Sequence, residues 1–322
     1  MTQARFTTAC ALLLVPASAM ATDAGPQDDT HLVDDLHTAF GVHHARAVHA
    51  KGIILTGRFD PSPDARSISH ASVFTRTSDV TIRFSNFTGF PAIPDNDPNA
   101  NPRGMAIRFG SDTAPVLDIV THNFDGFQTR TAGEFGALLR AIGTSGAGVA
   151  APTPLDLFLT SHPIAKTFLT TQHPAPISYA TTAYFGVNAV TFTDSKGRTH
   201  PVRYRFVPTA GERYFAAGPG PSAEYLQPEI TKRIAAGPIR FDWYAQLGEA
   251  GDLVDDPSIA WPSTRELVKL GTVTIAALAG NSAAADRALT FSPGRMPAGI
   301  AAADPMLAIR TVTYPVSFQQ RQ

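Results

Sequence analysis

Eight short runs rich in β-branched and aromatic residues are spaced along the chain in two groups of four, each run bounded by Pro, Gly, Asn or Asp. The first group lies at residues 52–59, 79–86 (DVTIRFSN), 104–110 (GMAIRFG) and 116–122 (VLDIVTH). The second lies at residues 184–193, 199–207, 238–247 and 266–278. Short strands expose unpaired edges, and closing a sheet on itself removes them. The pattern predicts an α+β fold in which an antiparallel eight-stranded β-barrel carries added helices outside. Asp194-Ser195-Lys196-Gly197 reads as a hairpin turn between the fifth and sixth strands. Helical spacing of apolar residues predicts helices over 31–40, 131–142, 153–171 with a break at Pro163, and 222–236. Residues 304–314 have room for a last helix, which Pro315 is expected to end. With no internal repeat and no low-complexity tract, a single domain over 31–322 is expected.

Composition narrows the function classes. A net charge of −1 gives no field to attract nucleic acid or an anionic membrane. The N-terminus, MTQARFTTACALLLVPASAMA, has a basic start, an apolar stretch and a small-x-small site. Residues 1–21 are read as a secretory signal peptide and 22–30 as a flexible lead-in, which makes the expected location periplasmic. No later segment reaches the ~18 apolar residues of a membrane span. The only cysteine, Cys10, lies inside that leader. The mature chain then has no thiolate to serve as nucleophile, iron ligand or zinc ligand, and no C-x-x-C-H motif for thioether-bound haem. No carboxylate–histidine spacing of a zinc or calcium site is present.

Two stretches carry chemistry. In DPMLAIRTVTYP, Arg310 and Tyr314 are four residues apart and share one face of a helix. A guanidinium beside a phenol favours the phenolate, a hard anionic ligand for ferric iron. In RAVHAKGIILTGRF, His49 stands just before a strand and beside Arg46. An imidazole placed there can act as an acid–base residue.

These stretches occur in an order that resembles the catalase family. RAVHAKGIILTGRF is similar to the segment that holds the distal histidine, VTIRFSNFTG to the Arg-Phe-Ser strand, and NPRGMAIRFG to the Pro-Arg-Gly strand. LDIVTHNFDGF resembles the segment that follows, and RMPAGIAAADPMLAIRTVTYP the proximal helix. The resemblance covers nearly all of the mature chain and implies a catalase-like barrel holding haem b. Only seven residues follow the proximal-helix proline, Pro315, so the chain looks like the small catalase-related peroxidases of minimal catalase fold.

By that resemblance Tyr314 is the axial iron ligand and Arg310 keeps it ionised. His49 is the distal acid–base residue, and Ser85 fixes its tautomer. Arg46, Arg83 and Arg321 bind the haem propionates, and Phe127 and Phe135 lie over the distal haem face. The departure is at His122, where typical catalases carry the distal asparagine. Strand alternation turns either His122 or its neighbour Asn123 to the pocket, and His122 is favoured. The implied activity is a haem peroxidase acting on hydrogen peroxide or organic hydroperoxides with a small organic electron donor, as a monomer or homodimer. True dismutation, an allene-oxide-type hydroperoxide isomerase and a periplasmic haem-binding protein without turnover are the competing readings.

Overall fold

Alternation along residues 52–122 turns every second side chain inward, and the chain there folds as a four-strand meander. The strands are β1 (Gly52–Pro61), β2 (Ser78–Ser85), β3 (Gly104–Ser111) and β4 (Ala114–His122). A second meander follows: β5 (Tyr184–Thr193), β6 (Thr199–Pro208), β7 (Ile239–Leu247) and β8 (Leu267–Leu278). The computed structural model describes residues 31–111, 113–216 and 220–322. The expected signal peptide and lead-in lie outside them.

All pairings are antiparallel, in the order β4-β3-β2-β1-β8-β7-β6-β5, and His122 opposite Phe185 joins β4 to β5 and closes the ring. The expected eight-stranded barrel is therefore present. A short strand that the sequence did not signal, β9 (Ile300–Ala302), adds to the free part of β5. The β5–β6 turn forms as expected. Asp194 Oδ1 accepts the backbone N–H groups of Lys196 and Arg198, and Gly197 takes the positive φ of 79° that the turn requires.

The barrel interior is filled with side chains. Trp243 stacks on Phe206 at 5.5 Å and meets Phe59, Phe109, Phe74 and Tyr204. A functional cavity must therefore lie outside the barrel. Register shows where. Ile54, Arg83, Ala106 and Val120 form one cross-strand row, and Gly52, Ser85, Gly104 and His122 form the next usable one. Both rows face away from the aromatic core, because residues directly opposite in an antiparallel pair project to the same side.

Helices pack around the barrel. They are α1 (Leu32–Phe40), α2 (Ala65–Ile68), α3 (Ala132–Gly143), α4 (Pro154–Ser161), α5 (Pro163–Thr170), α6 (Leu226–Ala236), α7 (Ser282–Ala288) and α8 (Met306–Gln320). Of these, α7 lies against β1, and α2 and α6 lie against β8. The break expected at Pro163 separates α4 from α5. The helix expected over 222–236 begins only at Leu226, whose N–H is taken by the buried Asp95 carboxylate at 2.9 Å. A capping acceptor from elsewhere in the chain thus sets that start.

The expected stop at Pro315 is wrong: Pro315 lies inside α8, which runs five residues further. An interior proline loses one helix bond and costs about 3 kcal/mol. The residues beyond it are held in place by tertiary contacts. Val316 packs against the cluster of Leu36 and Phe40, Ser317 Oγ accepts the Ala47 N–H, and Arg321 donates to the Leu289 carbonyl. Together these contacts outweigh the missing bond.

Candidate functional site

A cavity lies between the outer face of β2–β4 and α8. Its lining contains His49 and Ser85 as well as Tyr314, so residues from near the two ends of the described chain share one wall-to-wall space. Gly104, Ala106 and Val120 give it a flat, apolar floor of small side chains. Gly104 has a particular reason to lack a side chain. A Cβ there would stand 2.5 Å from Ser85 Oγ and 2.8 Å from His49 Nδ1.

His49 occupies the left-handed region at φ 55°, rarely adopted by a residue with a side chain. The turn aims its ring back over the sheet, where Nδ1 lies 3.1 Å from Ser85 Oγ. Phe87 packs edge-on against the imidazole at 5.4 Å between centroids. Burial, followed by the Arg83, His122, Arg310 and Arg46 charges, lowers the His49 pKa to about 3. The ring is therefore neutral at any ordinary working pH.

His122 ends β4 in the same cross-strand row as Ser85 and Gly104, on the His49 side of the sheet. Its Nδ1 accepts the Phe124 N–H at 3.3 Å, which leaves the proton on Nε2, and Nε2 is buried with no partner among the described residues. Burial, with Arg310 next, lowers its pKa to about 3. Asn123 is otherwise employed. Its Oδ1 accepts the Arg103 N–H at 2.7 Å and its amide donates to Thr182 Oγ1. Strand alternation thus separates the two residues as expected, with His122 on the His49 side.

On α8, residues 310, 313, 314 and 317 share one face at helical spacing, and Arg321 follows directly after the last helical residue. Arg310 Nη2 donates to the Tyr314 hydroxyl at 2.7 Å, and Nη1 to Asn188 Oδ1 at 2.5 Å. Asn188 in turn donates to Asp304 Oδ2 at 2.8 Å. The expected Arg310–Tyr314 pair is formed, and a buried Asn188–Asp304 relay that the sequence reading missed holds it. Both had signals. Asn188 interrupts an apolar strand, and Asp304 caps α8 by accepting the Met306 N–H.

Arg46, Arg83 and Arg321 converge at one edge of the cavity. Asp286 of α7, also missed, lies between the first two. Arg83 Nε reaches Asp286 Oδ1 at 2.6 Å and Arg46 Nη2 reaches it at 3.0 Å. Burial would raise the Asp286 carboxyl, but Arg83 and Arg46 overcome it and hold the pKa at about 2. Arg321 is buried, donates to the Leu289 carbonyl at 2.7 Å and has an unpartnered Nε. Its position next to the end of the sequence does not keep it from the site. Burial first, then Arg83, pushes Arg46 down to about 9; burial pushes Arg321 to about 10 despite Asp286. Three guanidiniums face one carboxylate, a surplus of two positive charges.

Phe127 and Phe135 sit apart from this cavity. They pack on each other at 5.1 Å, both half-buried, and Phe127 lies 6.3 Å from the His122 ring. Neither lines the space between His49 and Tyr314.

The arrangement fits haem. Its flat floor suits a planar macrocycle, and its surplus of two charges matches two propionates. The Tyr314 hydroxyl supplies an oxygen donor on one side and the neutral His49 imidazole stands on the other, while His122 ends β4 on the same side of the sheet but is not among the residues that line this cavity. Arg46, Arg83 and Arg321 would hold the propionates and Tyr314 would ligate the iron.

Comparisons with known proteins bear on the family and the fold. The family model described as Catalase matches residues 17–322. A catalase-related peroxidase of Synechococcus elongatus is 32% identical over 291 residues, covering 88% of this chain and 85% of the relative. Another, from Mycolicibacterium paratuberculosis, is 35% identical over 283 residues, covering 86% and 88%. Among solved structures, a fungal catalase superposes with a TM-score of 0.75 at 21% identity, over 86% of this chain and 59% of that one. A bacterial catalase gives 0.74 at 22% identity, over 94% and 63%. The chain thus spans about three fifths of the solved catalases it resembles.

Proposed function

The chain belongs to the catalase family, and on that premise we propose that it is a haem-dependent peroxidase. It reduces hydrogen peroxide or an organic hydroperoxide to water or an alcohol, taking two electrons from an organic donor. The observation that carries this reading is the cavity with the His49–Ser85 pair on one side and Tyr314, held by Arg310, on the other. Haem bound there would supply the redox-active iron that accepts and passes on the electrons.

The protein's own groups handle protons and charge. With Nδ1–H donating to Ser85 Oγ, His49 keeps the lone pair of Nε2 free. That nitrogen can take the proton from the near peroxide oxygen and return it to the departing one. A pKa of about 3 ensures that the lone pair is available. The unpartnered Nε2–H of His122 can donate to a bound oxygen, as an amide would, but from a larger ring. Arg310 donates to the Tyr314 oxygen and so fixes the orientation of the phenol that would ligate the iron. The residue at 122 supports peroxidase over dismutase: an imidazole replaces the distal amide that holds a second hydrogen peroxide in typical catalases.

The test is to load the purified protein with haem and compare oxidation of a phenolic donor with release of oxygen from hydrogen peroxide. Donor oxidation should dominate, and oxygen release at rates like those of full-length catalases would overturn the proposal. Tyr314→Phe should change the visible spectrum and reduce haem occupancy at least tenfold. Full occupancy with an unchanged spectrum would remove the ligand assignment. A rearranged lipid hydroperoxide formed without donor consumption would favour the isomerase reading. Export to the periplasm belongs to the proposal and rests on residues 1–21 alone.

A further inference from the structure

One tyrosine of the chain is built differently from the rest. The Tyr214 hydroxyl donates to Glu212 Oε2 at 2.6 Å, a charge-assisted bond that points the phenolic proton at a base. No other tyrosine has such a partner among the described residues. Tyr179 donates to the Asn86 amide oxygen, Tyr184 and Tyr225 donate to backbone carbonyls, and Tyr314 accepts from Arg310. Burial first, then the bond to Glu212, raises the Tyr214 pKa to about 12. The phenol therefore keeps its proton at ordinary pH. A phenol that loses an electron becomes a very strong acid, so it gives up the electron readily only where the proton can leave in the same step. Tyr214 has that acceptor in place.

Its position links the surface to the distal side. Tyr214 is 37% exposed and, with Glu212 and Phe185, lines a cleft open to solvent. The same oxygen lies 3.0 Å from Thr182 Oγ1, to which the Asn123 amide donates at 3.3 Å. Asn123 is bonded to His122, which shares the cross-strand row of Ser85 and Gly104 at the seam where β4 meets β5. Two hydrogen bonds and a short length of backbone thus join the exposed phenol to the wall of the cavity between His49 and Tyr314. Backbone bonds hold the segment in place. The Arg213 N–H donates to the Thr181 carbonyl at 2.8 Å, and the Phe215 N–H to the Ala175 carbonyl at 2.9 Å. Neither bond needs the Tyr214 side chain.

We propose that Tyr214 is a surface oxidation site, at which phenolic donors too bulky to reach the haem cavity give up their electrons. The proposal rests on the peroxidase reading and adds a second place where that activity meets its donor. The electron of Tyr214 passes to the haem site that the peroxide has oxidised, and its phenolic proton passes to Glu212. The donor phenol then returns a hydrogen atom to the Tyr214 oxygen, and Glu212 releases its proton to water. Two such rounds reduce one hydrogen peroxide to two waters and leave two donor phenoxyl radicals. The two protons taken up at the haem site balance the two that Glu212 releases.

Radical trapping in the haem-loaded protein tests it, with hydrogen peroxide, no donor and the spin trap nitroso-tert-butane, followed by digestion and mass spectrometry. The wild-type adduct should lie on Tyr214, and Tyr214→Phe should abolish it. Glu212→Gln keeps an acceptor for the hydroxyl but offers the proton no base, so it should lower the adduct yield at least fivefold. In steady state, Tyr214→Phe should lower the ratio of kcat/KM for dextran-coupled tyramine to that for guaiacol at least fivefold. Wild-type adducts found only on other residues, or a ratio unchanged in Tyr214→Phe, would overturn the proposal while leaving the peroxidase reading intact. No guaiacol oxidation with any peroxide would remove that reading itself.

Discussion

Asp286 uses both carboxylate oxygens on Arg83 and one of them on Arg46 as well. It therefore neutralises part of a cluster that propionates would otherwise hold alone. Removing one partner of such a group leaves guanidiniums desolvated and unpaired. In the haem-free protein, Asp286→Asn should cost on the order of 2–3 kcal/mol, because the pair is only partly exposed. That corresponds to several degrees of Tm in a chain of this length. The haem-loaded protein should lose less, since two propionates would take over the arginines. Thermal unfolding with and without haem measures the gap, which should widen in the variant. A gap that stayed the same would mean that Asp286 and the propionates do not share these arginines. No motif in the sequence marks Asp286, because an acidic residue in a short surface helix is ordinary. Its role exists only after α7 has been laid against β1.

The elements near the site differ in how openly the sequence announced them. The eight barrel strands follow from side-chain alternation and turn residues, which are local properties. His49, Ser85, Arg310 and Tyr314 were legible because each sits inside a recognisable stretch, and their pairing follows once the barrel closes. The course of α8 was not legible, since the local rule for Pro315 points to a stop and only distant contacts reverse it. Those contacts lead to a prediction for the element. A chain ended at Pro315 lacks Val316, Ser317 and Arg321, and so loses both the anchor on α1 and one of the three guanidiniums at the cavity edge. Its haem affinity should fall at least tenfold, about 1.4 kcal/mol. Arg321→Ala in the full-length chain separates the two causes. It should weaken haem retention as measured by transfer to apomyoglobin while leaving helix content unchanged by circular dichroism.

At the scale of the molecule, the barrel filled with aromatic rings acts as a rigid support, and the site is assembled on its outer surface. That location sets two half-buried imidazoles near several guanidiniums, so folding has to keep both neutral. Their pKa values fall to about 3 in the folded protein, from about 6.5 in an unfolded chain. Between those values the unfolded state binds protons that the folded state refuses, so stability rises with pH across the window. It is fully present above pH ~6.5 and is lost as the pH falls towards 3. Each proton contributes a slope of about 1.4 kcal/mol per pH unit, so the two histidines together approach ~2.7. Urea unfolding of the haem-free protein at pH 7, 6, 5 and 4.5 should show that decline. In His122→Gln, which keeps a polar side chain without a titrating ring, the slope over the same range should fall by about half. An unchanged slope in that variant would mean that His122 takes up its proton in the folded state, and that the distal side is wetter than its burial implies.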